Sequence, residues 1–297
     1  MHSRSHSHHD HFGKSNRIGW TFLLNVSFTI IEFIGGFLTN STAIMADAIH
    51  DLGDSLSIGF AWILSHYSEK QASPIYSYGY KRLSLLGALI NSVVLIAGSI
   101  FVLSESIPRL SDPQMPIVEG MLGLALLGVV VNGFAVYKLS AGKTLNEKVL
   151  TWHLLEDVLG WVAVLIVSII LFFVDWPILD PLLSIAFTLF ILFNVVKSLK
   201  STVALFLQAI PDKVVQAKII EVLTSKPEVK EVHHIHFWSL DGESHVLTAH
   251  IGLNEQYDVP TIHALKKSIA IELVPFKLSH TTLEIEFSNE ECRDKEL

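Results

Sequence analysis

The sequence predicts an α-helical membrane protein with six transmembrane helices, followed by a small C-terminal α+β domain. Of the 297 residues, 50% are hydrophobic and only 17% are charged, and a soluble domain of this size carries more charge. The apolar residues are concentrated in six stretches, each long enough to supply the roughly 20 helical residues that cross the hydrocarbon core of a bilayer. After the last stretch the pattern becomes polar and mixed. These observations indicate a membrane domain and a separate globular domain.

The six apolar stretches are separated by short polar or turn-forming connections. They run at about 18–38, 42–66, 83–107, 116–138, 150–174 and 177–199. We therefore expect three parts: a histidine-rich tail (1–17), a transmembrane domain (18–200) and a C-terminal domain (201–297). The tail is polar rather than a secretory signal, so the first stretch is expected to remain as a helix.

Positive charge is distributed unevenly along the connections. Lys and Arg residues lie in the N-terminal tail, in the second and fourth connections and at the end of the last stretch. The connections on the other side of the membrane contain only Arg109. Cytoplasmic loops carry this excess of positive charge, and an even number of spans puts both termini on one side. We expect both termini in the cytoplasm and the protein in a bacterial inner (plasma) membrane.

A net charge of −8 without a basic patch argues against a nucleic-acid partner.

The C-terminal part predicts a helix, two strands, a second helix and a third strand. A Pro-led amphipathic stretch precedes two runs of alternating apolar residues, which are joined by a turn at Asp241-Gly242. The elements fall at about 211–226, 229–240, 245–253, 260–274 and 281–287. This αββαβ order suits a small sheet covered by helices on one face, a ferredoxin-like arrangement.

Two His-x-x-x-Asp steps lie inside apolar stretches, His50 with Asp54 in the second and His153 with Asp157 in the fifth. Residues four apart share one face of a helix, with Cβ atoms roughly 5–6 Å apart, so each pair can converge on one ion. A charged side chain near the bilayer centre costs on the order of 2.5–3.5 kcal/mol, which argues against a purely structural role. Two imidazoles and two carboxylates favour tetrahedral zinc over magnesium or calcium, which need more oxygen ligands.

Other polar groups in the apolar stretches have simpler accounts. Asp47 lies about one turn before His50 on the same helical face, and two roles stay open for it: a carboxylate on the entry path of the ion, or a partner that orients the ligands. For Asn25, Glu32 and Asp180, hydrogen bonding between helices is the simpler account.

The remaining histidines and the cysteine lie outside the apolar stretches. The N-terminal tail can hold zinc weakly and raise its local concentration through His2, His6, His8, His9 and His11. The single cysteine, Cys292, lies in the polar C-terminal tail, so neither a disulfide within the chain nor a thiolate cluster is expected. Metal ligands are therefore expected to be nitrogen and oxygen atoms.

The stretches around the two steps, Ala46–Asp54 and Trp152–Asp157, resemble the cation diffusion facilitator family of zinc-type cation efflux transporters. The likeness covers most of the chain, and its further matching pieces are Tyr78–Arg82, Asp180-Pro181, His250 and His280-Thr281-Thr282. It implies a proton-coupled antiporter in the lipid bilayer that exports zinc, and also cadmium or cobalt, by alternating access. The transport ligands it implies are His50, Asp54, His153 and Asp157. A His at the first of these positions goes with zinc in the family.

The resemblance also implies a homodimer whose cytoplasmic domain binds a regulatory zinc ion between protomers. The ligands that it suggests are His233, His250 and His263, with a carboxylate such as Glu284 or Glu286. Zn²⁺ would then be both cargo and regulatory ion, and protons would be the counter-substrate.

Independently of the resemblance, the alternation of side chains along a strand places His234 and His236 on one face of the first predicted strand and His233 on the other.

Two other functions stay open from the residues themselves. A membrane-embedded metalloenzyme would need an open coordination position on the metal beside an acid or base. Two equal His-Asp pairs would instead fill all four positions of a tetrahedral ion. A metal sensor would use the spans as an anchor, and a mere anchor does not require ligands inside the membrane. Neither alternative explains the paired spacing as well as transport does.

Overall fold

The computed structural model describes residues 10–67, 72–139 and 145–294, and within them the side chains of 22–63, 72–137 and 154–294. The expectation that the tail histidines hold zinc rests on His2, His6, His8, His9 and His11, whose side chains lie outside the described residues. The first helix begins at Asp10, earlier than the predicted start at about residue 18.

Six long helices precede the α+β domain in the described part of the chain. They are α1 (Asp10–Thr39), α2 (Thr42–Tyr67), α3 (Leu83–Ser106), α4 (Val118–Leu139), α5 (Leu145–Phe173) and α6 (Leu179–Phe206). By length and composition, all of them except α2 contain a stretch that could cross a membrane. α2 differs because it carries three carboxylates, Asp47, Asp51 and Asp54, within little more than two turns. The helical membrane architecture is confirmed, and the crossing of α2 stays a prediction.

The chain forms two compact units. The first contains α1, most of α2 and Gly87–Leu199, and the second contains the described residues of Tyr67–Leu86 and Lys200–Leu297. In the first unit, Ala46 and Ile49 of α2 join a buried cluster with side chains of α3 and α6. Ile49 immediately precedes His50. α2 is therefore packed against α3 and α6 at the level of this predicted ligand.

The side chain of Trp161 on α5 packs directly against Gly128 on α4. Trp161 is 1% exposed, and a Cβ at Gly128 would lie 2.1 Å from Cδ2 of its indole ring. Glycine is therefore required at this position for the two helices to pack as they do. Phe28 of α1 contacts the same ring edge-on, with centroids 6.0 Å apart. Because Trp161 follows Asp157 by one turn, this packing fixes the part of α5 that carries a predicted ligand.

The second unit contains the predicted αββαβ domain. Its elements are α7 (Lys213–Thr224), β1 (Val229–Ser239), β2 (His245–Leu253), α8 (Val259–Glu272) and β3 (Leu278–Glu286). The sheet order is β1-β2-β3, with β1 antiparallel and β3 parallel to β2. Both helices contribute to one core, in which Ile219 of α7 and Ile269 of α8 pack with Ile251 of β2. The predicted order of elements is confirmed.

An irregularity in β1 changes the faces of its histidines. The pairing with β2 shifts register between His233 and His236, and His234 has a φ of +46°. A bulge of this kind disrupts the alternation of neighbouring residues between the two faces. His233 and His234 therefore both lie beside His250, with ring centroids 5.6 and 5.2 Å from it. The prediction that His233 and His234 lie on opposite faces was wrong.

The contact between Gly128 and Trp161 leads to a stability prediction. Gly128→Ala is expected to lower the melting temperature of the detergent-solubilised protein, because the added methyl group must displace the Trp161 ring and overpacking costs typically about 1–3 kcal/mol. The measurement is thermal unfolding followed by intrinsic fluorescence.

Gly133→Ala is the matched control on the same helix. Nothing among the described residues lies within 4 Å of a Cβ at Gly133, so this variant is expected to match the wild type or gain up to about 1 kcal/mol from helix propensity. Equal melting temperatures for the two variants would contradict the packing role of Gly128.

Candidate metal centre

The first turn of α2 is held by a carboxylate from α6. Asp180 is 1% exposed, and its Oδ1 accepts a hydrogen bond of 2.5 Å from Oγ of Ser41. Its Oδ2 accepts bonds of 2.7 and 2.8 Å from the backbone N–H and the hydroxyl group of Thr42. Free N–H groups and the helix dipole both favour a negative charge at this end of a helix. The hydrogen bonding between helices predicted for Asp180 is confirmed, and it fixes α2 about two turns before His50.

Three of the four predicted transport ligands converge. His50, Asp54 and Asp157 each offer one ligand atom, and these atoms lie within 4.8 Å of one another. Nε2 of His50 is 3.7 Å from Oδ2 of Asp54 and 3.6 Å from Oδ1 of Asp157. In a tetrahedral zinc site with bonds of about 2.0–2.1 Å, neighbouring ligand atoms lie about 3.4 Å apart. Small side-chain movements therefore suffice for all three groups to bind one ion.

The fourth predicted ligand, His153, lies on α5 one turn before Asp157. Its side chain is outside the described residues. Residues four apart on a helix share a face, and this spacing is the basis for predicting His153 as a ligand beside Asp157. Its role as a ligand stays a prediction.

The cluster is partly open to its surroundings. The side chains of His50 and Asp54 are 20% and 24% exposed, and that of Asp157 is 10% exposed. The ring of Phe187 stands edge-on to the His50 imidazole, with centroids 6.0 Å apart. Oδ1 of Asp157 is buried without a hydrogen-bond partner among the described residues. A buried carboxylate oxygen without a donor is unfavourable, and a cation beside it would remove that penalty.

Asp47 lies at the interface of α2 and α5 and does not belong to the three-residue cluster. It is 2% exposed, and its Oδ1 lies 3.5 Å from where a Cβ at Gly160 of α5 would stand. Its Oδ2 has no hydrogen-bond partner in the described part of the chain. This position is compatible with both roles predicted for Asp47.

The two polar groups predicted to join α1 to other helices behave differently. Asn25 donates a hydrogen bond of 3.0 Å to Oγ of Ser55 on α2, which confirms the prediction for it. Glu32 is fully buried, and neither of its carboxyl oxygens meets hydrogen-bond geometry with another described residue. Its strongest electrostatic neighbours are the carboxylates of Asp51 and Asp47. The carboxyl groups of Glu32 on α1 and Asp51 on α2 lie within reach of a hydrogen bond when one of them carries a proton, so the hydrogen bonding predicted for Glu32 stays a prediction.

A second cluster of metal-ligating side chains lies in the α+β domain. His233, His250, Glu286 and Cys292 offer ligand atoms within 4.8 Å of one another. Glu286 contacts both imidazoles, with Oε2 3.0 Å from Nε2 of His233 and Oε1 2.8 Å from Nδ1 of His250. Sγ of Cys292 lies 3.5 Å from the same nitrogen of His250. Two of the residues suggested for this domain, His233 and His250, are thus brought together.

The other two suggested residues are not part of this cluster. His263 is exposed on α8, and the side chains of Leu265 and Ile269 fill the core from the opposite side of that helix. Glu284 lies at the rim, where its Oε2 is 3.6 Å from Nε2 of His250 and is also paired with an arginine of the C-terminal tail. Of the two carboxylates considered, Glu286 is the one that lies among the imidazoles.

Cys292 is the group that sequence reasoning missed, because nothing near it in sequence indicates a metal site. Burial raises the pKa of its thiol, and so do the carboxylates of Glu286 and Asp294. Burial alone would raise the pKa of Glu286, but hydrogen bonds with His250 and Cys292, together with the charge of His233, hold it below its ordinary value. The thiol and the carboxylate thus form a donor and acceptor pair beside the two imidazoles.

Comparison with known families accounts for both units. Residues 20–207 match the cation efflux transmembrane domain, and residues 211–286 match the cytoplasmic domain of cation efflux proteins. The chain belongs to the cation efflux family. This confirms the resemblance to cation diffusion facilitators of the zinc type.

Individual relatives of this cation efflux protein are similar over nearly their whole length. The chain is 31% identical over 284 residues to the cadmium, cobalt and zinc/H(+)-K(+) antiporter of Bacillus velezensis, covering 94% of this chain and 91% of the relative. It is 30% identical over 295 residues to the zinc transporter ZitB of Pectobacterium atrosepticum, covering 98% and 91%. It is 29% identical over 283 residues to the metal cation efflux system protein CzcD of Cupriavidus metallidurans, covering 94% and 89%.

Family membership decides between the functions left open by the residues. The protein is a multi-pass membrane transporter for metal cation efflux and is not an enzyme. The alternatives of a membrane-embedded metalloenzyme and of a metal sensor are thereby set aside.

The contact between Asp180 and α2 leads to a second prediction. Asp180→Asn is expected to lower the melting temperature and to reduce transport, because an amide replaces one accepting oxygen by a donor and removes the charge facing the helix terminus. Hydrogen bonds to a charged group contribute about 1.5–3 kcal/mol each, so the loss should be readily measurable.

Asp175→Asn serves as the control, since Asp175 is exposed in the connection just before α6. This control should unfold at the wild-type temperature. An Asp180→Asn protein as stable and active as the Asp175→Asn protein would show that the contact does not hold α2 in place.

Proposed function

We propose that this protein exports zinc from the cytoplasm in exchange for protons, by alternating access around His50, Asp54, His153 and Asp157. The observation that carries the proposal is the convergence of His50, Asp54 and Asp157 from two helices of a membrane domain. Helical geometry adds His153 on the face of α5 that carries Asp157. Substrate sites near the middle of a transporter are the usual pivots of alternating access.

The ligand types favour zinc among the divalent cations. Imidazole and carboxylate groups in a four-ligand set suit tetrahedral Zn²⁺, whereas magnesium and calcium require more oxygen ligands. Cadmium and cobalt accept similar ligands, so we include them as further cargo. The names of the relatives support this choice, since they mention zinc, cadmium and cobalt.

Proton exchange follows from competition for the same atoms. An imidazole must be neutral to bind a metal, and it ordinarily gains its proton near neutral pH. Zinc arriving from the cytoplasm therefore displaces protons from the ligands, and protons from outside displace zinc when the site faces outward. The inward proton gradient then drives export. One relative is named as an antiporter, which supports such an exchange.

The proposed orientation narrows the role of Asp47. With both termini in the cytoplasm of a bacterium, α2 runs inward from Thr42, so Asp47 lies on the outer side of His50. For an exported ion this is the exit side, so we place Asp47 on the exit path and not on the entry path considered from the sequence. The bacterial relatives support an inner-membrane location.

The C-terminal part is proposed to act as a dimerisation and regulatory domain. We retain the division into a tail (1–17), a transmembrane domain (18–200) and a C-terminal domain (201–297), and a homodimer as the working unit. The chemistry of His233, His250 and Glu286 fits a regulatory zinc ion, because two imidazoles and a carboxylate lie within reach of one centre.

Removing one transport carboxylate tests the proposal. Asp54→Ala and Asp157→Ala are each expected to abolish zinc-driven proton movement in proteoliposomes, a loss of at least about tenfold, because the site loses both a ligand and a negative charge. Both variants should still fold and dimerise. The measurement is a pH-sensitive dye inside sealed vesicles, repeated with cadmium, cobalt, manganese and iron.

Glu156→Ala is the matched control, because Glu156 precedes Asp157 in sequence but is exposed on another face of α5. This variant should transport zinc like the wild type. Normal zinc-driven proton movement by the Asp157→Ala protein would contradict the proposal.

A further inference from the structure

We propose that Cys292 supplies a fourth, sulfur ligand to the metal site of the C-terminal domain, so that the tail Ser288–Asp294 closes over the bound ion. This inference rests on the regulatory site proposed above and adds to it a ligand and the tail segment that carries this ligand. Cys292 follows the last residue of the family's cytoplasmic-domain match, which ends at residue 286.

A turn directly after β3 returns the tail to the cluster. The backbone N–H of Phe287 donates a hydrogen bond of 2.8 Å to Oε2 of Glu290, and the backbone N–H of Glu290 donates one of 2.9 Å to the carbonyl oxygen of Phe287. These two bonds reverse the chain immediately after Glu286. Cys292 thereby comes to lie beside a residue of β2 instead of continuing away from the sheet.

Three consecutive tail residues contact the cluster or the carboxylate of Glu284 at its rim. Sγ of Cys292 lies 3.5 Å from Nδ1 of His250, and the guanidinium group of Arg293 lies 3.2 Å from Oε2 of Glu284. Oδ2 of Asp294 lies 3.7 Å from Nε2 of His250. The sulfur atom is thus held in place by an ion pair on β3 and by a second acidic contact to the same imidazole.

The complete ligand set belongs to one chain. His233, His250, Glu286 and Cys292 provide two nitrogens, one oxygen and one sulfur, which is the number that a closed tetrahedral zinc site requires. His250 and Glu286 are 9% and 8% exposed, so a bound ion would be largely screened from water. A thiolate makes the site softer than a nitrogen and oxygen set, and zinc or cadmium is then favoured over manganese or magnesium.

A purely structural role is the competing account of Cys292. In that account the thiol donates a hydrogen bond to Glu286 and holds the tail against the sheet without any metal. The two accounts differ in whether a bound metal acquires a sulfur ligand and protects the thiol. Both differences can be measured directly.

Cobalt(II) absorption provides the decisive test, in full-length protein carrying Asp157→Ala so that transport-site binding is weakened. Cys292 is the only cysteine in the chain, so any sulfur-to-cobalt charge-transfer band must come from it. We expect that band to appear with one cobalt ion per chain. Cys292→Ser should abolish the band while the visible cobalt bands of His233 and His250 coordination remain.

Alkylation of the wild-type protein gives a second readout that needs no substitution at Cys292. Zinc is expected to slow the reaction of Cys292 with iodoacetamide by at least about tenfold, and a chelator should restore the rate, because a metal-bound thiolate is not free to react. Cobalt binding without a charge-transfer band, or an alkylation rate that zinc does not change, would overturn the inference.

Transport measurements separate this inference from the proposed function. If only the sulfur ligand is wrong, wild-type vesicles still show zinc-driven proton movement while the charge-transfer band is absent. If only the transport proposal is wrong, the band and the protection from alkylation are present while wild-type vesicles move no protons with zinc.

Discussion

The carboxylate of Asp180 joins the N-terminus of α2 to α6, and the geometry of the candidate transport site depends on this contact. α2 carries three carboxylates and His50, and such groups are unfavourable within a bilayer unless partners compensate them. Ile49 packs with α3 and α6 beside His50, while Trp161 sets α5 against α4 one turn beyond Asp157. The meeting of an imidazole on α2 with a carboxylate on α5 therefore follows from fixed helix positions more than from attraction between the two groups.

The sequence predicted the helices and three converging ligands because these rest on local regularities. A spacing of four puts His50 and Asp54 on one face, and the cost of charge in a membrane marks Asp157 as functional. The same reasoning could not find the partner of Asp180, since Ser41 is 139 residues away in the chain and short polar residues carry no pairing signal. The register shift in β1 and the return of Cys292 to the sheet likewise depend on tertiary structure, so strand alternation misplaced His233 relative to His234.

The two clusters differ in ways that suit two tasks. In the membrane domain, two of the three described ligands are about one-fifth or more exposed, and all the ligand atoms are nitrogen or oxygen. A cargo ion must leave such a site in every cycle, which a partly open set of harder ligands permits. In the C-terminal domain, His250 and Glu286 are buried and a sulfur atom joins them. That combination favours long retention, which suits the regulatory ion that we propose for this domain.

A zinc-loaded structure of the full-length protein, with the ion located by anomalous scattering, tests the central claim most directly. The account predicts an ion bonded at about 2.0–2.2 Å to Nε2 of His50 and to carboxylate oxygens of Asp54 and Asp157, with His153 completing the set. Zinc bound only at His233, His250 and Glu286, with nothing between α2 and α5 at saturating zinc, would contradict it.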